Sequence, residues 1–299
     1  MTIEQRTQPA IAQANGIELC FDTFGDPRAR PLLLIMGLAA QMIAWDDEFC
    51  TRLAGRGYRV IRFDNRDIGL STRLEKAGVP DIPAIFMDAL QGKPVKSAYL
   101  LRDMADDAIG LLDFLGIDQA HVVGASMGGA IAQTLAIHYP QRLRTLTSIM
   151  ATTGAPGLPP PTPEAMAVLM KPTPTDQAAY FKSYVQTWTV LRAGSFPLDE
   201  ARDLTRAGQI FARGLNPAGV ARQLNAILAS GSRKEALAAV KLPTLIIHGD
   251  ADPLVPLACG IDTAESVPGS KRLIIKGMGH ALPISMWPQI VGAIAAHAV

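Results

Sequence analysis

The chain reads as an α/β protein, with one mostly parallel central sheet flanked by helices on both faces and interrupted by an inserted helical cap. Three observations predict this. Short apolar runs bounded by Gly, Pro or charge alternate with helical patterns along the first half of the chain. The alternation breaks at the proline-rich stretch "TTGAPGLPPPTP" (152–163) and returns at "PTLIIHGDADP" (243–253). Between these points the spacing is helical only. Alternation means βαβ units, whose crossovers lay helices over both faces of a parallel sheet. The core is therefore expected over residues 1–151 and 241–299, and the cap over 152–240.

In chain order, "IELCFDTFG" (17–25) alternates as a strand does, and "PLLLIM" (31–36) is the continuous apolar run of a strand buried on both faces. "WDDEFCTRLAGRG" (45–57) has apolar residues at helical spacing and closes on glycine, ahead of the strand "YRVIRFD". A helix is predicted over 102–116, a strand at "AHVVGA", a helix through "MGGAIAQTLAIHYP" ending near Pro140, and a strand at "LRTLTSIMA". In the cap, "DQAAYFKSYVQTWTVLR" and "PAGVARQLNAILASG" are helical; a strand over 271–277 and a helix from about 284 to 297 close the core.

Of the 299 residues, 48% are hydrophobic and 18% charged, enough apolar material for a large core and too little charge for disorder. The net charge is +1 with no block of Lys or Arg, which argues against nucleic acid or an anionic membrane surface as partner. No apolar run reaches the roughly 20 residues that span a bilayer, and the first residues lack the pattern of a signal peptide. Cys20, Cys50 and Cys259 are scattered and lack metal-ligand spacing, so reduced thiols in the cytoplasm are expected.

The chemistry centres on "HVVGASMGGA" (121–130), in which a strand runs into Gly124, Ser126 and Gly128. G-x-S-x-G is the pattern of a sharp strand-to-helix turn: the serine backbone is strained, and glycines two positions away leave room where backbone crowds backbone. The turn lifts the Ser126 hydroxyl to the positive end of the next helix, as a nucleophile requires. A serine also needs a histidine base and a carboxylate to orient that base. Among five histidines, His280 in "IIKGMGHALP" follows a strand in a glycine-flanked loop. His138 closes a helix, His121 starts a strand, and His297 lies where chain ends fray. The acid should come from "LIIHGDADPLVP". Asp252 is preferred to Asp250, because Asp250 sits at the glycine that makes the turn while Pro253 fixes the backbone just after Asp252. The backbone N–H groups of Met127 and Leu38, the latter in the loop of "LLLIMGLAA", are expected to form an oxyanion hole. Asp64, Arg66 and Asp67 in "FDNRDIGLS" are read as fixing a loop through ion pairs and Asx turns.

The chain resembles the α/β-hydrolase superfamily, and within it serine esterases of the aclacinomycin methylesterase type. The stretches that carry the likeness are "GDP" (25–27), "IMG" (35–37), "DEF" (47–49), "VIRFDNRDIGLST" (60–72), "AHVVGASMG" (120–128) and "GMGHALP" (277–283). Ser126, Asp252 and His280 fall on the superfamily's triad positions, and Met36-Gly37 stands where many members have His-Gly. The resemblance implies hydrolysis of a small-to-medium apolar carboxylic ester through an acyl-enzyme, without metal or organic cofactor. Met127, Phe181, Tyr184 and Trp188 are expected to line the substrate pocket, with Met166 and Met170 divided between pocket and cap packing. The same triad serves carbon–carbon bond hydrolysis, perhydrolysis and acyl transfer, and the scaffold also occurs in non-catalytic binding proteins. Serine rather than aspartate at the elbow argues against dehalogenation and epoxide opening. The sequence leaves the oligomeric state open.

Overall fold

The computed structural model describes residues 6–299. The first half of the core comprises β1 (Ala10–Ala14), β2 (Ile17–Phe24), β3 (Arg30–Ile35), α1 (Asp47–Ala54), β4 (Tyr58–Phe63), α2 (Ile82–Leu90), α3 (Leu101–Phe114), β5 (Ala120–Ala125), α4 (Met127–His138) and β6 (Leu143–Ile149). Five helices then follow without a strand: α5 (Pro163–Met170), α6 (Gln177–Leu191), α7 (Glu200–Arg213), α8 (Pro217–Ser230) and α9 (Lys234–Leu237). The sheet resumes with β7 (Thr244–Gly249), α10 (Leu257–Ser266), β8 (Lys271–Ile275) and α11 (Trp287–His297).

The eight strands form one sheet in the order β1-β2-β4-β3-β5-β6-β7-β8. The β1/β2 and β2/β4 pairs are antiparallel and every other pair is parallel. Successive side chains of β3 take opposite faces: Leu33 and Ile35 pack into one apolar layer with α3 and α4, Leu32 and Leu34 into the other with α1 and α11. That two-sided burial is why the strand reads as a continuous apolar run rather than an alternating one.

Four of the five helices between β6 and β7 start on side-chain caps. Thr162, Asp176, Asp199 and Asn216 each accept a hydrogen bond from the amide three residues on, satisfying donors the helix cannot. Two of them, α7 and α8, are held to the core by ion pairs. Asp64 takes Arg213, and Asp67 takes Arg222 through two bonds of 2.8 and 2.6 Å. Asp46, the N-cap of α1, takes Arg202 and Arg206 at 2.6 Å each. The loop-fixing role of "FDNRDIGLS" is visible too: Asp64 accepts the amides of Met42 and Leu70, Asp67 that of Leu74, and Arg66 pairs with Asp107 on α3 at 2.6 Å.

His297 departs from the expectation of a frayed chain end: it is buried, and its Nε2 lies 3.2 Å from the carbonyls of both Leu146 and Pro243. The three cysteines are buried and unpaired. Among the described residues no helix is long and apolar enough to cross a membrane.

Candidate active site

Ser126 sits between β5 and α4 with φ 56° and ψ −122°, left-handed backbone that costs a non-glycine residue about 1–3 kcal/mol. Its amide donates to the carbonyl of Ile149 on the neighbouring strand at 2.9 Å, which holds the turn. The flanking glycines are steric requirements. A Cβ on Gly124 would overlap the Gly128 carbonyl across the elbow, and one on Gly128 would overlap the Ile35 carbonyl of β3. Ser126 is therefore presented at the N-terminus of α4, above the carboxyl ends of the parallel strands, where an open α/β sheet places its ligands.

His280 Nε2 lies 2.9 Å from Ser126 Oγ, and His280 Nδ1 lies 2.8 Å from Asp252 Oδ2. The carboxylate can only accept, so Nδ1 carries the proton and Nε2 accepts from the serine hydroxyl. The other oxygen of Asp252 accepts the amides of Leu254 and Val255 at 2.9 and 2.8 Å, so the carboxylate is held from both sides. Asp252 and His280 are buried, at 6% and 5% exposure, a setting in which a charged hydrogen bond is strong and water does not compete for it. Asp250 points elsewhere: it is exposed and accepts the amide of Gly277 at 2.6 Å, tying two loops together. His248 also lies nearby. Its Nε2 donates to the Val255 carbonyl at 2.7 Å and stands 3.8 Å from Asp252, and burial holds its pKa below the usual imidazole range.

The loop after β3 completes the site. A Cβ on Gly37 would lie 3.4 Å from Ser126 Oγ, so this backbone passes directly over the hydroxyl. Leu38 and Met127 both border the cavity into which the serine opens. The loop is anchored by two side chains the sequence did not flag: Asn65 donates to the Met36 carbonyl at 2.9 Å, and Gln223 accepts the amide of Ala39 at 3.1 Å. Gln223 is a lone buried amide on α8, which carries no signature, and Asn65 lies in the loop after β4, in the stretch read above as fixing a loop.

The cavity has a volume of about 1230 Å³, is lined mainly by apolar groups, and extends from Ser126 and His280 to the helices between β6 and β7. Tyr184, Trp188 and Met166 line it. Phe181 does not, contrary to expectation. It lies one residue, or about 100°, around α6 from Tyr180, and packs edge-on against Phe211 of α7 with ring centroids 6.3 Å apart. Met170 is likewise absent from the lining. Among the described residues no three His, Cys, Asp or Glu side chains converge as metal ligands.

A mostly parallel sheet with a strained serine elbow at its carboxyl edge, a chain-terminal histidine loop and helices inserted after the sixth strand defines the α/β-hydrolase class. Residues 30–285 match the family model for the alpha/beta hydrolase fold, and the chain belongs to that family. Its relatives include the rhodomycin D methylesterases DauP of Streptomyces sp. (strain C5) and DnrP of Streptomyces peucetius. Each is 32% identical, over 94% of this chain and 95% of the relative. The chain is thus a hydrolase with relatives of esterase type. Solved structures of the same fold include the esterase RhEst1 from Rhodococcus sp. ECU1013, with a TM-score of 0.74 at 18% identity, covering 97% of this chain and 100% of that one. Another is the 2-hydroxy-6-oxo-6-phenylhexa-2,4-dienoate hydrolase from Rhodococcus sp. strain RHA1, with a TM-score of 0.74 at 17% identity, covering 97% and 98%.

Proposed function

We propose that this protein hydrolyses carboxylic esters through a Ser126–His280–Asp252 triad, with residues 152–240 acting as the cap that receives the substrate. The observation that carries this reading is the continuous relay from Ser126 Oγ through His280 to Asp252, in bonds of 2.9 and 2.8 Å, opening on the cavity.

In the reaction, Ser126 Oγ attacks the ester carbonyl as its proton passes to His280 Nε2, and the resulting imidazolium is stabilised by the buried Asp252. The amides of Leu38 and Met127 receive the oxyanion, the second reinforced by the N-terminus of α4. Collapse breaks the bond to the alcohol, which leaves with the proton from Nε2. Water then attacks the acyl-enzyme and gives its proton to the same nitrogen, which passes it to Ser126 Oγ as the acyl–serine bond breaks and the acid leaves.

The cavity exceeds the 300–1,000 Å³ of ordinary ligand pockets, roomier than a small-to-medium ester needs. With the methylesterase relatives, this favours methyl esters of bulky, largely apolar acids. The test is a panel of methyl and p-nitrophenyl esters of graded acyl size, with a vinylogous diketone included, assayed on the wild type and on Ser126→Ala. Turnover of bulky methyl esters and labelling of Ser126 by a fluorophosphonate are expected, with Ser126→Ala lower by roughly 10³-fold or more. Near-wild-type turnover in Ser126→Ala refutes the serine mechanism, and preference for the diketone redirects the assignment to carbon–carbon bond cleavage.

A further inference from the structure

The histidine of the relay is attached to the cap as well as to the core. Where the loop after β8 turns, the backbone N–H of His280 donates to the carbonyl of Leu191, the last residue of α6, at 2.7 Å. Gly279 passes so close beneath this helix end that a Cβ on it would lie 2.5 Å from the Leu191 oxygen and 2.6 Å from the Arg192 carbonyl carbon. The helix end is held in turn by one ion pair. Two guanidinium nitrogens of Arg192 meet the two oxygens of Asp203 on α7, both at 2.5 Å, and Asp203 is buried. The Arg192 guanidinium also lies 5.8 Å from the ring centroid of Trp188. Trp188, Arg192 and Asp203 all border the cavity that opens on Ser126, yet the relay itself uses none of them.

From this arrangement we propose that Arg192 and Asp203 are positioning residues for His280: they hold the Leu191 carbonyl in the place that fixes the histidine backbone, and an acyl group resting on Trp188 bears on the same helix. This rests on His280 being the general base, as proposed above. The imidazole is oriented by two attachments, its Nδ1 to Asp252 and its backbone N–H to Leu191. Releasing the second lets the ring shift against Ser126, and a misplacement of about 1 Å costs on the order of 10²-fold in rate. Binding energy from the remote acyl group is thereby expressed in kcat rather than in KM. An ion pair that merely fastened α6 to α7 would instead affect stability, or KM alone.

The experiment compares the full-length wild type with Asp203→Asn, Asp203→Glu and Arg192→Lys. Steady-state kinetics are measured on methyl acetate and methyl naphthoate, together with the rate of Ser126 labelling by a small fluorophosphonate. For Asp203→Asn, kcat on methyl naphthoate is expected to fall about 10- to 100-fold at nearly constant KM. Labelling should slow in parallel, and Asp203→Glu should recover most of the loss. A folded Asp203→Asn with unchanged kcat, or with a loss confined to KM, overturns the proposal. Should Asp203→Asn not fold, Arg192→Lys, which keeps the charge but not the two-point bond, decides on the same criteria. A wild type that is not labelled at Ser126 overturns the serine mechanism and this proposal together, whereas labelled wild type beside unaffected variants overturns this proposal alone.

Discussion

Gln223 on α8 accepts the backbone N–H of Ala39 at 3.1 Å while its own amide donates to the Arg66 carbonyl at 2.9 Å. A fully buried side chain of α8 thus fastens the loop whose preceding amide, that of Leu38, is proposed to receive the oxyanion. Gln223→Leu keeps the volume and removes both bonds. It is expected to lower kcat on a p-nitrophenyl ester about tenfold with little change in KM, since a donor displaced by a fraction of an ångström still contributes part of its stabilisation. Steady-state kinetics check this, and a mutant with wild-type kcat removes Gln223 from any part in the loop's geometry.

Asp64 and Asp67, which hold α7 and α8, have opposite titration behaviour, and Arg222 is the reason for one of them. Burial pushes Asp64 up, more than Arg213 and two amides offset. Burial acts on Asp67 as well, but bonds from Arg222, the Leu74 amide and Tyr99 prevail and hold its pKa below the usual carboxylate value. A carboxyl lowered on folding contributes stability above its unfolded pKa of about 3.9, lost as pH falls through the folded value. Arg222→Met leaves Asp67 buried without its cation, at a cost of about 3–5 kcal/mol near pH 7. The folded pKa of Asp67 then rises above the unfolded one, so the deficit is expected to shrink as pH falls from 7 towards 4. Urea midpoints of both proteins at pH 7 and pH 5 check the sign, and a deficit that stays constant or grows on acidification contradicts it.

How far the molecule was legible follows from the kind of signal each part carries. Gly124, Ser126 and Gly128 announce the elbow because its constraint is local, backbone meeting backbone within five residues. The βα alternation is equally local, and β3 to β8 lie where the apolar runs predict. β1 was passed over: "AIAQA" has little strand propensity and is strand only because it pairs with β2 across a tight turn. Helices α2 and α10 carry no clear signal either, each lying in a stretch whose Gly, Pro and charge content reads as loop. The partners of Asp64 and Asp67 could not be read at all, since Arg213 and Arg222 lie 149 and 155 residues away.

Two aromatics of α6, seven residues apart, have different partners. Phe181 packs between Tyr180 and Phe211 away from the cavity, whereas Trp188 borders it. Phe181→Ala is expected to lower stability by about 1–3 kcal/mol, less than a fully buried site because the ring is partly exposed, and to leave ester selectivity unchanged. Trp188→Ala should shift preference between small and bulky acyl groups with a smaller change in melting temperature. Thermal denaturation beside kcat/KM for two acyl sizes tests both, and a Phe181→Ala enzyme with altered selectivity would return that residue to the pocket.

Asp250 and Asp252 are two residues apart on one loop, and the structure gives them different partners. Asp252 is buried, with Oδ2 2.8 Å from His280 Nδ1 and Oδ1 held by two amides. An asparagine there offers either an oxygen without charge or an N–H facing the ring, and the second forces the proton onto Nε2, where it cannot accept from Ser126. Asp252→Asn is therefore expected to cut kcat by roughly 10⁴-fold, the scale set by the same change in a serine protease. Asp250 accepts the Gly277 amide, at an exposed position. Asp250→Asn keeps an oxygen for that amide, so its cost should stay within about 1 kcal/mol of stability, with kcat within a few-fold of wild type. Both mutants need their fold verified by circular dichroism before kcat is compared. A crippled Asp250→Asn beside an active Asp252→Asn reverses the assignment, and the relay would then have to run through a loop rearranged from the geometry described.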